Sequence, residues 1–227
     1  MINSNNPTQL FKKPEVTKGT LVFLCGAGGT GKTVVAQEME KTYGYTRMAS
    51  PTRDFYKQEG VVNEIEFMNK PNQYRMEFHV RYGEYYRKHI LNSIKSLEPC
   101  AFVVERSPIC ILAYTMYHSQ LAPLAFLQTQ QELVWTFLSD LIDDGWFVSI
   151  PFFVYPTPWA EKDDADGFRY TTGVKNFTVS ALMLNLLRDT QPNVQRLHAA
   201  AILDGTPEER ASGLVEELSN AITQAAG

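Results

Sequence analysis

The chain of 227 residues reads as an α/β domain in which a parallel sheet is covered by helices on both faces. Three observations predict this. Short, continuous apolar runs alternate with longer segments of helical period, and a parallel strand buried on both faces shows such a run instead of an in–out alternation. The first run passes through a glycine-rich stretch into a helical segment, the order that a βαβ unit requires. The length suits one domain of this kind with a substantial core.

Residues 1–18 are polar, with Asn, Pro and Lys, and read as a flexible arm ahead of a single domain over 19–227. Thr20-Leu-Val-Phe-Leu-Cys25 is the first strand. Val34 to Tyr43 is the first helix, and Gly44 suits its C′ position, where the left-handed conformation costs glycine nothing. Tyr45 to Ala49 predicts a short second strand, and Gln73 to Leu97 a helix. Phe78, Tyr82, Tyr85 and Tyr86 on that helix share a helical spacing that favours the core over base stacking.

Ala101-Phe-Val-Val-Glu105 is the third strand and ends in a carboxylate. A helical region from Ile109 to Asp143 follows, interrupted near Pro123; Phe147 to Tyr155 is the fourth strand. A charged, glycine-containing loop then precedes a helix at Phe177 to Asp189, and His198 to Leu203 is the fifth strand. The last helix starts with a Thr206-x-x-Glu209 capping box and Pro207 at its first position, and Ala211, Leu214, Val215, Leu218 and Ile222 form its apolar stripe.

Composition narrows the function classes. A hydrophobic content of 44% with 20% charged residues is ordinary for a globular protein, and a net charge of −4 counts against an obligate nucleic-acid binder. Cys25, Cys100 and Cys110 show no CxxC pairing and no histidine at metal-ligand spacing, so they read as buried free thiols of a reducing cytosol. Neither a signal peptide nor a membrane span is visible. The expectation is a cytoplasmic protein, bacterial or, if phage-encoded, acting in the host cytoplasm.

Gly26-Ala27-Gly28-Gly29-Thr30-Gly31-Lys32-Thr33 satisfies G-x-x-x-x-G-K-[ST] at every fixed position, between a strand and a helix. Glycines allow the backbone to wrap a phosphate with its N–H groups inward, and the positive end of the following helix adds to the attraction. Lys32 reaches the β- and γ-phosphates of ATP, and the Thr33 hydroxyl is a ligand for Mg²⁺. Glu105 and Arg106 stand where a parallel strand ends, the rim at which open α/β sheets bind ligands. Glu105 can take a proton from an attacking hydroxyl or bind Mg²⁺ through water; Arg106 can hold acceptor oxygens or developing charge. Arg53, after the second strand, is either an acceptor contact or a solvated cation. Residues 159–175 read as a lid that excludes water, with Arg169 the preferred cation and Lys162 and Lys175 behind it, or as a plain charged loop.

Glu105-Arg106-Ser107 resembles a triplet of deoxyribonucleoside kinases, in which the acid is the base for a sugar hydroxyl, and thymidylate kinases carry a similar Asp-Arg pair. Asp166-Gly-Phe-Arg169 resembles an element of the nicotinamide-riboside-kinase-like group. With Asp204-Gly-Thr-Pro207 after the fifth strand, residues 20–220 resemble the P-loop nucleoside and nucleotide kinases. The resemblance implies a three-layer sandwich, a five-stranded parallel sheet in order 2-3-1-4-5, an acceptor region at 50–98, ATP with Mg²⁺ as cofactors and transfer without a covalent intermediate. It admits a homodimer. Ser50-Pro-Thr52 replaces an acidic residue of the riboside-kinase-like group and the lid lacks the arginine density of adenylate kinases, so the acceptor stays open: a nucleoside, a nucleoside monophosphate, or 5-hydroxymethyluracil within DNA, as for some phage enzymes. An NTP-hydrolysing switch or AAA-type ATPase is the alternative of another class, but the chain has neither a guanine-reading Asn/Thr-Lys-x-Asp element nor paired acids on the third strand.

Overall fold

In the computed structural model, residues 18–95, 100–153, 173–190, 201–202 and 205–226 are described. Four strands follow the predicted order. β1 (Gly19–Phe23) lies in the middle, between β3 (Cys100–Val104) and β4 (Trp146–Ser149), and β2 (Thr46–Met48) pairs with the outer side of β3; all pairings are parallel. Leu21 stands opposite Phe102 on one side and Val148 on the other.

Each apolar run feeds two cores, because successive strand side chains point to opposite faces. Leu21 and Phe23, Phe102 and Val104, and Trp146 and Val148 enter the larger core. Val22 and Leu24, Val103, and Phe147 enter the smaller one. The smaller layer is built by α1 (Lys32–Tyr43), which buries Val35, Ala36 and Met39, and α8 (Pro207–Ala226), which buries Ala211, Leu214 and Leu218. The expected capping box opens α8: Thr206 N–H donates to Glu209 Oε2 at 2.7 Å, and Glu209 N–H to Thr206 Oγ1 at 3.2 Å. Gly44 closes α1 in the left-handed region, its N–H bonded to Met39 O.

The larger layer holds α2 (Thr52–Gln58), α3 (Glu64–Asn69), α4 (Asn72–Lys95), α5 (Pro108–His118), α6 (Leu124–Asp143) and α7 (Gly173–Thr190). Phe78, Tyr82 and Tyr86 of α4 are buried there, as their spacing predicts, and Phe55, Tyr56, Phe67 and Phe78 pack ring against ring. The break expected near Pro123 is the α5–α6 junction. The short helices α2 and α3 are additions to the sequence reading.

The five-stranded sheet is the correction. The main sheet has four strands, in order β2-β3-β1-β4. The predicted run at 147–155 splits at Ile150-Pro151 into β4 and β5 (Phe152–Phe153), and the predicted last strand contributes β6 (Ala201–Ile202), which pairs with β5 in a separate two-stranded ribbon. Proline has no N–H for a ladder. Here Pro151 only accepts, from Cys25 N–H at 2.9 Å, and Phe153 N–H returns to Cys25 O at 2.7 Å. The ribbon is thus tied to the end of β1 and brings Phe153 against the glycine-rich loop. Of the predicted arm, 1–17 lie outside the described residues; Lys18 is held to the sheet, its N–H on Gly145 O and its ammonium 2.6 Å from Asp144. Among the described residues no helix is long and apolar enough to cross a membrane.

Candidate active site

The glycine-rich loop runs from the end of β1 to the start of α1. Gly26 has φ +151°, and a Cβ there would lie 2.9 Å from Phe153 O and 3.0 Å from Thr30 Oγ1, so the loop can pass under the ribbon only with hydrogen at this position. Gly31 caps α1 at φ 81°. Thr30 Oγ1 donates to Ala27 O at 3.0 Å, and the Lys32 ammonium lies over the loop, 2.5 Å from Ala27 O and 3.1 Å from Thr30 Oγ1. Arg210, in the first turn of α8 and 5% exposed, braces the loop from the other side: Nη1 donates to Thr30 O and Nε to Gly205 O, both at 3.1 Å. Sequence reasoning missed Arg210, which lies 180 positions from its partner.

Because β3 neighbours β1, the carboxylate ending β3 arrives beside the loop. Glu105 Oε2 accepts from the Thr33 hydroxyl at 3.1 Å, and Oε1 from Arg47 Nη1 at 2.5 Å. Arg47 Nε also donates to Glu40 at 3.1 Å. Arg47 was missed as well; it is one polar residue in a three-residue strand, and only the β2–β3 register, which sets it opposite Val103, reveals its role. A hydroxyl and a carboxylate in contact are hard oxygen donors, the kind Mg²⁺ takes when phosphates supply the remaining ligands. Thr33 and Glu105 therefore fit that ion. No group of three or more His, Cys, Asp or Glu among the described residues could hold a metal alone.

Arg106 lines a separate pocket of about 40 Å³ with Thr52, Tyr56, Tyr82 and Tyr114. Its guanidinium carbon stands 5.1 Å over the Tyr114 ring, and its carbonyl accepts from Tyr86 OH. The pocket also contains a buried polar chain. Lys175 donates to Glu64 Oε2; Glu64 Oε1 is 3.0 Å from His118 Nε2; His118 Nδ1 is 3.1 Å from His79 Nε2. All four residues are 8% exposed or less. Burial alone would raise the Glu64 carboxyl, but hydrogen bonds from His118 and Lys175 and the ammonium charge hold it below the usual carboxylate range. Burial lowers His118, partly offset by Glu64, and lowers His79 much further, helped by His118 and Arg75. Both rings are then neutral. Since a carboxylate only accepts, His118 carries its proton on Nε2 and accepts on Nδ1 from His79, which leaves His79 Nδ1 buried and without a hydrogen bond among the described residues.

The sequence reading assigned nothing to these histidines: α3, α4, α5 and α7 each supply one member of the chain, and no local spacing joins them. Lys175 is a correction to the lid reading, because it sits in α7, buried against Glu64, and not in a charged loop. Arg53 is exposed on α2 and outside the pocket lining. Lys162 and Arg169 lie outside the described residues.

No family model and no curated protein matches the chain. Solved structures do. A NadR protein in complex with NAD and AMP-PNP superposes with a TM-score of 0.60 at 11% identity, over 92% of this chain and 50% of that one, so the chain spans about half its length. Deoxyadenosine kinase from M. mycoides with bound dCTP gives 0.59 at 11% identity, over 88% and 100% of the two chains. Thymidylate kinase from Candida albicans gives 0.55 at 13% identity, over 92% and 94%. With the glycine-rich loop between β1 and α1 and the β2-β3-β1-β4 order, these likenesses establish that the chain has the fold of the P-loop nucleoside and nucleotide kinases.

Proposed function

We propose that the chain is an ATP-dependent phosphotransferase acting on a nucleoside or nucleoside-monophosphate-like acceptor, with residues 19–227 as one kinase unit, 50–98 on the acceptor side and the charged segment from 159 up to α7 as its lid. The observation that carries this is the Thr33–Glu105 contact beside the loop, with Arg106, the next residue, lining the polar pocket. One strand end thereby serves two sites, one for the nucleotide phosphates and one for the acceptor.

Gly26 to Thr33 cradle the phosphates, and Lys32 exchanges Ala27 O and Thr30 Oγ1 for β- and γ-phosphate oxygens. Thr33 and Glu105 would hold Mg²⁺, which neutralises charge on those phosphates. Both Glu105 oxygens already meet partners on the nucleotide side, which supports the metal role over that of a base for the acceptor hydroxyl. Arg47 orients that carboxylate. Arg106 and the Tyr114 face hold the acceptor. A volume of about 40 Å³ takes a few waters or a hydroxymethyl group, so a whole nucleoside enters only if the pocket opens.

The test is ATP consumption against nucleosides, nucleoside monophosphates and hydroxymethylated DNA, with the product identified by mass. Phosphorylation of a nucleoside or monophosphate is the expected result. ATP hydrolysis indifferent to every acceptor would overturn the reading in favour of a hydrolysing switch, and DNA as the sole acceptor would replace the substrate class.

A further inference from the structure

Beneath the glycine-rich loop lies a pair of thiols that the transfer chemistry does not use. Cys25 is the residue immediately before Gly26, and Cys110 is in the first turn of α5. Their sulfurs are 3.6 Å apart, and the residues are 0% and 1% exposed. Cys110 Sγ also lies 3.9 Å from both Leu24 O and Gly26 O, and it accepts from Ser107 Oγ at 3.2 Å. Ser107 caps α5 by accepting from Cys110 N–H at 3.1 Å, so the Cys110 sulfur sits at the positive end of an eleven-residue helix, an environment that favours thiolate.

We propose that Cys25 and Cys110 are an oxidative modification site at the root of the phosphate loop, forming a disulfide with hydrogen peroxide and thereby switching off nucleotide binding. The Cys110 thiolate attacks one peroxide oxygen, giving its sulfenic acid and hydroxide. The Cys25 sulfur then attacks the sulfenic sulfur; the S–S bond forms, the S–O bond breaks, and the Cys25 proton leaves with the hydroxyl as water. The two sulfurs give up two electrons and peroxide takes them.

Two further observations bear on each half of this. Burial pushes the Cys110 thiol up, but the Cys25 hydrogen bond, the Lys32 and Arg106 charges and Ser107 outweigh it and hold the thiol well below its usual range, while burial and Cys110 raise Cys25. Cys110 is therefore the attacking partner and Cys25 the resolving one. The mechanical consequence follows from distance. A disulfide needs its sulfurs about 2.05 Å apart, so they must close by roughly 1.5 Å. The backbone at Cys25 has little slack to absorb this: its N–H is bonded to Pro151 O and its C=O to Phe153 N–H, and the space beside Gly26 is too tight for even a Cβ against Phe153. The displacement passes into the loop, whose inward N–H groups are then shifted from the positions that meet a bound phosphate.

The experiment treats the reduced protein with peroxide, alkylates the remaining thiols and maps peptides without reduction. Binding of a fluorescent ATP analogue is measured in parallel. A Cys25–Cys110 cross-linked peptide is expected, with a loss of affinity for the analogue that dithiothreitol restores. Under the same peroxide, Cys110→Ala should keep its affinity for the analogue. Separately alkylated cysteines, or a bridged protein that binds the analogue normally, would overturn the proposal. Mapping the bond needs no nucleotide, so its failure is distinct from failure of the phosphate-loop reading, which would leave even the reduced protein unable to bind the analogue.

Discussion

Replacing Glu64 by alanine would expose how the polar pocket beside Arg106 is held together. The carboxylate is 8% exposed and accepts from Lys175, 5% exposed, and from His118, 2% exposed. Its removal takes the Glu64 charge away from a buried ammonium and the acceptor away from an imidazole N–H. Breaking a buried pair on one side costs about 3–5 kcal/mol. At about 2–4 °C per kcal/mol for a chain of this size, the melting temperature should fall by roughly 6–20 °C. The paired variant Glu64→Gln with Lys175→Met removes both charges and should recover most of that loss. The wild type adds a check on the sign of the pH dependence. His79 and His118 have folded values depressed from 6.5, so the unfolded chain takes up protons that the folded one refuses, and stability is lost as pH falls through 6.5. The Glu64 value is depressed from 4.5, so its contribution is present above 4.5 and lost as pH falls below it. Urea melts followed by tryptophan fluorescence between pH 8 and pH 4, about the span of these transitions, measure the wild type and both variants. A Glu64→Ala protein within about 1 kcal/mol of wild type at pH 8 would refute the buried-pair argument, and so would stability rising on acidification through 6.5.

Other substitutions address the nucleotide side. Lys32→Ala should lower turnover by about 10²–10³-fold while the fold, read by circular dichroism, is kept; near-normal turnover would remove the loop from the chemistry. Arg47→Ala leaves Glu105, among the described residues, with its Thr33 contact alone, and the requirement for Mg²⁺ should rise about tenfold with little change in nucleotide affinity measured without metal. An unchanged Mg²⁺ titration would make Arg47 a surface ion pair only. Gly26→Ala must fit a Cβ 2.9 Å from Phe153 O at φ +151°, and should cost about 1–3 kcal/mol of stability together with affinity for an ATP analogue. A variant as stable as wild type would show that the ribbon moves aside easily.

Legibility followed distance along the chain. The glycine-rich loop, the α1 C-cap and the α8 capping box each lie within a few consecutive residues, where torsional limits and local hydrogen bonds dictate residue type, and all three stand where the sequence places them. The apolar runs likewise determined a parallel sheet with helices on both faces, since only two-sided burial removes the alternation of a strand. The fate of the fifth strand was less legible. Pro151 was visible in the predicted run, but that the chain would leave the ladder there and tie itself to Cys25 depends on neighbours distant in sequence.

By itself, then, the sequence determined the class of fold, the glycine-rich loop between β1 and α1 and the carboxylate at the end of β3. Tertiary structure alone decided what those groups touch: Arg47 on Glu105 across the β2–β3 pair, Arg210 on Thr30 from the last helix, and the Lys175–Glu64–His118–His79 chain assembled from four helices. The physical reason is that a hydrogen bond between groups 39 to 180 positions apart imposes no pattern on the residues near either end. Such contacts exist only after the two cores have packed and carried the separate elements to one rim.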